Sequence, residues 1–231
     1  MRALGERLMD ILFPPVCPWC GELLRQGERH TKCEAALPRV ENPICTLCGR
    51  GTDRCTCGAR KSELRRVVSP FYYEGGVEDA LKRFKYAGAS YAARPLAKEM
   101  ARTVTERLRG VPISAVAPVP MERAKQRRRG YNQAALLAKG LARELGLPCE
   151  ERLLRLTGDK QEQHTLDRAA RAANVFGVYS VPHPERAAGR TILLVDDIST
   201  TGATLRECAK MLSLAGAAAV YGCTAALVVA K

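Results

Sequence analysis

Aromatic side chains are scarce in this sequence: Phe, Tyr and Trp make up 5% of 231 residues, and Trp19 is the single tryptophan. Binding single-stranded nucleic acid mainly on rows of stacked rings is therefore a poor fit. Negative charge is also in short supply, with 24 Asp and Glu against 37 Lys and Arg. The resulting formal charge of +13 favours anionic partners such as phosphates, nucleic acid or anionic lipid, without choosing among them. A secretory signal is lacking, because Glu6, Arg7 and Asp10 interrupt the apolar stretch of MRALGERLMDILFPPV and no small-residue cleavage site follows. That segment reads as a short amphipathic helix with Leu4, Leu8, Ile11 and Leu12 on one face. A cytoplasmic, reducing setting is the matching expectation. No membrane span is expected either. Residues 211–230 are uncharged, but Ser213, Gly216, Gly222 and Thr224 punctuate them, so they read as a core helix, a Gly216 cap and a buried strand.

What is present is a globular composition, 46% apolar and 26% charged, long enough for one large domain or a medium domain plus a small one. From about Leu64 onward, strand-like and helix-like stretches alternate, which predicts an α/β fold with a largely parallel sheet flanked by helices. The predicted strands are RRVVSPFYY, ISAVAPV, LLRL, VFGVYSV, TILLVDD and AVYGCTAALVV. Helices are predicted at VEDALKRFKY, from about Tyr91 to Leu108 with Pro95 in the first turn, and at NQAALLAKGLARELG. Residues 1–60 then form a cysteine-rich zinc-binding module and residues 64–231 the larger domain. The charged connection ARKSEL is short, so the module is expected to pack on or near that domain.

Ten cysteines are too few for a disulfide scaffold, and seven of them crowd the first quarter. Cys17-Pro-Trp-Cys20 and Cys45-Thr-Leu-Cys48 have the two-residue spacing that aims both thiolates of a turn at one ion, and Gly21 and Gly49 follow them. His30-Thr-Lys-Cys33 repeats the spacing with a mixed pair, and Cys55-Thr-Cys57 is one residue tighter. Eight such groups suffice for two closed structural Zn²⁺ sites, or four of them for one. Seven buried structural thiols would need a core that so polar a segment cannot build. A redox role for the Cys17, Cys20 pair is set aside, since six further candidate ligands follow and no thioredoxin-like strand leads into it. Cys149, Cys208 and Cys223 sit in apolar or helical surroundings and read as core residues.

The most informative stretch is TILLVDDISTTGAT, residues 191–204: an apolar strand, two acids, hydroxyls and Gly, then an amphipathic helix. A helix N-terminus offers unsatisfied N–H donors, and Thr200, Thr201, Gly202, Ala203 and Thr204 add hydroxyls and close backbone approach, so the loop suits a phosphate. Asp196 and Asp197, at the strand end, would repel a bare phosphate. They make sense beside a ligand that also carries hydroxyls or a divalent cation, as a sugar phosphate does. Residues 117–139 turn from a strand end into a loop bearing Arg123, Lys125, Arg127, Arg128 and Arg129, closed by Gly130 and a helix starting near Asn132. Such a charge run is usually a solvated face. On the carboxyl edge of a neighbouring strand, however, Lys125, Arg127, Arg128, Arg129, Asn132 and Gln133 would line a ligand crevice suited to pyrophosphate or nucleic-acid phosphates.

The acid pair and TTGAT loop resemble the phosphoribosyl pyrophosphate motif of type I phosphoribosyltransferases, in which the acids approach the ribose hydroxyls and the loop grips the 5′-phosphate. With the cysteine knuckles, FYYEGGVEDALKRFKYAG, APVPMERAKQRRRGYNQAALLAK, and Gln163, Leu166, Arg171 and Asn174, the likeness covers nearly the whole chain and is similar to the ComF family of competence-related proteins. The resemblance implies a type I phosphoribosyltransferase-like domain behind a zinc ribbon, a phosphoribosyl pyrophosphate or related sugar-phosphate ligand, Mg²⁺, and a role in DNA uptake with partners among DNA-uptake proteins. It leaves open an enzyme of unknown acceptor. The alternative from another class is a single-stranded DNA-binding accessory protein without turnover. Residues 163–174 are polar and are expected to cover the site.

Overall fold

A computed structural model of the chain describes residues 16–25, 28, 30–55, 57, 58, 62–157 and 178–229. The predicted N-terminal amphipathic helix, the first three residues of VFGVYSV, and Gln163, Leu166, Arg171 and Asn174 lie outside these residues.

The N-terminal module uses one turn twice. Val16 bridges Leu23 around the first cysteine pair, and Ile44 bridges Gly51 around the second. In each, the glycine N–H closes on the first cysteine carbonyl, Gly21 to Cys17 at 2.9 Å and Gly49 to Cys45 at 3.0 Å. Helix α1 (Thr31–Ala35) carries Cys33. The module packs on the larger domain, as its short linker predicts: Trp19 meets Phe71 edge-on at 5.5 Å, and Pro38 accepts from the Tyr72 N–H at 2.7 Å.

The larger domain is a parallel sheet. Strands β1 (Leu64–Val68) and β2 (Phe71–Tyr72) lie successively along β7 (Ala219–Leu227), followed across the sheet by β6 (Thr191–Ser199) and β3 (Ala115–Pro118). The continuous apolar run of β6 follows from helices on both faces. Leu193 and Val195 join the core of α2 (Gly75–Tyr86), α3 (Ala93–Arg107) and α5 (Gln133–Leu145), whereas Ile192 and Leu194 join that of α6 (Ala203–Leu214). Gly140 lets α5 approach α3, since a Cβ there would stand 2.7 Å from Ala97 Cβ.

Three readings change in detail. Residues 123–129 form a short helix, α4 (Arg123–Arg129), rather than a loop. Its Ala, Lys, Gln and Arg are good helix formers, and Gly130 ends it in the left-handed conformation at φ 82°. Within LLRL, Leu153 and Leu154 are core residues, and only Arg155–Leu156 form β4, antiparallel to β5 (Tyr179–Ser180) in a small ribbon off the main sheet. Strand β6 also runs past the two acids to Ser199, paired throughout with β7. The uncharged run near the C-terminus divides as expected: α6 ends at Leu214, Gly216 takes φ 86°, and β7 follows. Among the described residues, no helix is long and apolar enough to cross a membrane.

Candidate functional site

The carboxyl edge of the sheet opens into a cleft of about 600 Å³ lined by Lys85, Val119, Glu122, Lys125, Arg129, Asn132, Gln133, Tyr179, Asp196, Asp197 and Thr204, among others. Strand β6 delivers the two acids. The Asp197 N–H donates to Asp196 Oδ1 at 2.8 Å, and the Ile198 N–H to Asp197 Oδ1 at 2.7 Å. Lys85, in the last turn of α2, places its Nζ 3.1 Å from Asp197 Oδ2. Burial, reinforced by the neighbouring Asp197 charge, pushes Asp196 up to about 8. The pair therefore resists carrying two negative charges unless a cation or a set of hydroxyl donors joins it.

Beyond Ser199 the chain turns through the candidate phosphate loop. Gly202, at φ 73°, caps α6, and Thr201 Oγ1 accepts from the Ala203 N–H at 3.3 Å. Thr200, Thr201, Ala203 and Thr204 are exposed at this helix end. Two arginines hold the loop from behind: Arg206 donates to the Thr201 carbonyl at 2.8 Å, and Arg50, from the N-terminal module, donates to the Thr200 carbonyl. Of the five loop residues, Thr204 lines the cleft and the others lie beyond its lining.

The basic segment splits in two. Arg129 lines the cleft, stacks its guanidinium 5.2 Å from the Tyr86 ring centroid and donates to Gln133 Oε1 at 3.2 Å. Its Nε is buried without a hydrogen-bond partner. Gln133 is fully buried and Asn132 caps α5, accepting from the Ala134 N–H at 3.0 Å while donating to the Val119 carbonyl at 3.2 Å. Both amides line the cleft but are engaged in shaping it. Lys125 also lines it, 3.4 Å from Glu122, whereas exposed Arg127 and Arg128 lie outside the lining. Lys85 and Tyr179 were missing from the sequence-derived site. The Lys-Tyr at the end of FKY was the available signal for Lys85.

The eight metal-ligand candidates gather into two sets. Cys17, Cys20, His30 and Cys33 form one, and Cys45, Cys48, Cys55 and Cys57 the other, with the ligand atoms of each set within 4.8 Å of one another. Cys20 Sγ lies 3.2 Å from His30 Nδ1, and the second set has Sγ separations of 3.6 Å for Cys45 with Cys57 and 3.4 Å for Cys55 with Cys57. Tetrahedral ligands around zinc at Zn–S bonds of about 2.3 Å stand about 3.8 Å apart, so both sets fit the ion. Burial raises the Cys45 thiol, but the Cys48 and Leu47 N–H groups outweigh it and hold the group down at about 6, which favours the ligating thiolate.

Residues 8–64 match the double zinc ribbon domain family. Over most of its length the chain is similar to competence protein ComFC of Bacillus subtilis, 29% identical over 92% of this chain and 90% of that one. Competence protein F of Haemophilus influenzae is 28% identical over 80% and 85%, and DNA utilization protein YhgH of Escherichia coli 28% over 89% and 87%. Among solved structures, glutamine phosphoribosylpyrophosphate amidotransferase from B. subtilis aligns at 24% identity and a TM-score of 0.42, over 58% of this chain and 26% of that chain. Adenine phosphoribosyltransferase from Giardia lamblia aligns at 19% and 0.39, over 63% and 71%. The chain thus joins an N-terminal double zinc ribbon segment, with its two four-ligand sets, to a parallel sheet flanked by helices. Its relatives bear out the resemblance to the ComF family over most of the chain.

Proposed function

We propose that the cleft binds phosphoribosyl pyrophosphate with Mg²⁺, in a cytoplasmic protein that serves DNA uptake or use. The observation that carries this reading is the acid pair, Asp197 buried and Asp196 half-buried, leading directly into the loop at the N-terminus of α6. Asp196 and Asp197 accept from the ribose hydroxyls, residues 200–204 hold the 5′-phosphate, and Lys85, Lys125 and Arg129 stand where a pyrophosphate needs cations. The carboxylate oxygens fit Mg²⁺, which takes one or two carboxylates along with substrate phosphates. Bound there, Mg²⁺ supplies neutralisation of the pyrophosphate charge. Transfer would form a bond from a nucleophile's lone pair to the anomeric carbon while the carbon–oxygen bond to pyrophosphate breaks with its electrons. The chain's part is orientation and charge placement, with no covalent intermediate.

The names of the relatives, competence and DNA utilization proteins, support the link to DNA. A second reading, contact with single-stranded DNA along α4, is favoured by the exposed Arg127 and Arg128 outside the cleft and by the +13 charge. The two are compatible. Calorimetric titration with phosphoribosyl pyrophosphate, with and without Mg²⁺, tests the first, followed by a screen for pyrophosphate release with nitrogen nucleophiles and nucleic acids. Absence of binding in both titrations rejects the sugar-phosphate reading.

A further inference from the structure

The second ribbon is built into the sheet edge that carries the candidate site. Gly49 stands at φ 74°, and a Cβ there would lie 2.3 Å from the Val67 carbonyl oxygen. The Leu47 carbonyl accepts from the Val67 N–H at 2.9 Å, and the Gly51 N–H donates to the Tyr72 hydroxyl at 2.9 Å. Between the two glycines, Arg50 is only 6% exposed.

A buried guanidinium is costly to desolvate unless its donors are met. Arg50 meets them with backbone carbonyls of the larger domain: Nε donates to Val228 at 3.0 Å, and Nη2 donates to Thr200. These carbonyls belong to neighbouring strand ends, tied together by the Val228 N–H donating to the Ser199 carbonyl at 3.0 Å. Fixing the Thr200 carbonyl fixes the plane of the peptide it shares with Thr201, and hence the direction of the Thr201 N–H at the start of the loop. On the ribbon side, the Arg50 carbonyl accepts from the Cys45 N–H at 2.7 Å. Burial pushes the Cys48 thiol up, while the Arg50 backbone N–H and guanidinium act against that rise.

We propose that Arg50 is a positioning residue that couples the second zinc ribbon to the phosphate loop, so that assembly of the ribbon around its metal sets the loop's geometry and its affinity for anions. The affinity half of this inference rests on the phosphate-loop reading of residues 200–204; the mechanical half does not.

The test compares the full-length, zinc-loaded parent with Arg50→Gln and Arg50→Lys. Zinc per chain is measured by metal analysis, loop protection by amide hydrogen exchange at Arg206 and Val228, whose N–H groups bond the Gly202 and Ser199 carbonyls at the two ends of the loop, and affinity by calorimetry with inorganic phosphate and with Mg²⁺-phosphoribosyl pyrophosphate. Loss of the Thr200 bond in Arg50→Gln is expected to speed loop exchange about tenfold and to weaken anion binding by a similar factor, with zinc content unchanged. Arg50→Lys, which keeps the charge but cannot span both carbonyls, should recover part of both losses. Exchange at Arg206 and Val228 that matches the parent in a zinc-loaded Arg50→Gln chain overturns the proposal. Should Arg50→Gln lose zinc, the same comparison on zinc-loaded Arg50→Lys decides, with parent-like exchange and affinity again overturning it. A parent that binds neither anion rejects the functional reading, and loop exchange then decides the coupling alone.

Discussion

Replacing Asp196 and Asp197 together by Asn preserves side-chain size and removes both carboxyl groups, and with them the pair's negative charge, from the floor of the cleft. In the proposed complex each carboxylate accepts from a ribose hydroxyl, a charge-assisted bond worth about 1.5–3 kcal/mol. One such bond lost per residue gives roughly 3–6 kcal/mol, or about a 100- to 10,000-fold rise in the Kd for phosphoribosyl pyrophosphate. Because Asn keeps a carbonyl acceptor, the lower part of that range is expected. Free phosphate should respond in the opposite direction. It has no ribose diol for the acids to receive, and the change frees the Lys85 ammonium, now 3.1 Å from Asp197, to face the cleft. Its affinity should stay level or improve. Calorimetric titration of both ligands on parent and double variant reads the two directions, with a thermal melt to show that the sheet persists. A double variant that binds phosphoribosyl pyrophosphate as tightly as the parent refutes the reasoning, and so does an equal loss for both ligands.

The raised Asp196 value makes stability depend on pH: a carboxyl moved from 3.8 up to about 8 in the folded chain stabilises fully only below about pH 4, and that contribution is lost as pH rises toward 8. Asp196→Asn should therefore flatten the fall in urea midpoint between about pH 5 and pH 8, and an unaltered slope contradicts the assignment. Metal analysis should return two zinc per chain, one for each ligand set, falling to one in Cys45→Ser while the sheet domain's thermal transition stays recognisable; a metal-free chain with folded ribbons defeats the zinc reading. Single-stranded DNA binding should weaken steeply with salt, and Arg127→Ala with Arg128→Ala should lower that slope by about 0.7 per lost contact. A slope unmoved by the double change means that α4 is a solvated face.

The strand, acid pair, loop and helix of residues 191–214 were legible because each is a local pattern: an apolar run, Asp196 and Asp197, a Gly able to take positive φ, and an amphipathic helix. The ligand sets were legible from spacing, and the structure adds what spacing leaves open, drawing the tight Cys55, Cys57 pair and His30 into separate four-ligand groups. Lys85 and Arg50 were harder to see. Lys85 is marked only by the Lys-Tyr of FKY and Arg50 by nothing local, because the acid and carbonyls they meet come from distant parts of the chain and converge only when the parallel sheet forms. The basic run was legible as a charged segment after β3 but not as a helix: its charges read as a loop, while its strong helix propensity makes it α4.

The carboxyl ends of β3, β6 and β7 meet at one edge of the sheet, and what they bring there argues for a ligand of mixed chemistry. Past the end of β3, Asn132 and Gln133 are committed to holding the turn and Arg129, so the cation is presented on a stiff support. At β6, two acids sit where the loop would otherwise favour any phosphate. Beyond β7, the Val228 carbonyl is held with that of Thr200 by a ribbon arginine. A bare anion gains from the loop and loses to the acids. Nucleic-acid phosphates would face the same opposition, while the exposed Arg127 and Arg128 of α4 lie outside the cleft. The proposed ligand, a sugar phosphate carrying a second anionic group, would avoid that opposition: hydroxyls would satisfy the acids, one phosphate would take the loop, and the other would compete with Asp197 for Lys85. That competition would let the ligand inherit a half-buried cation already oriented at the cleft, so less ordering would remain to be done on binding.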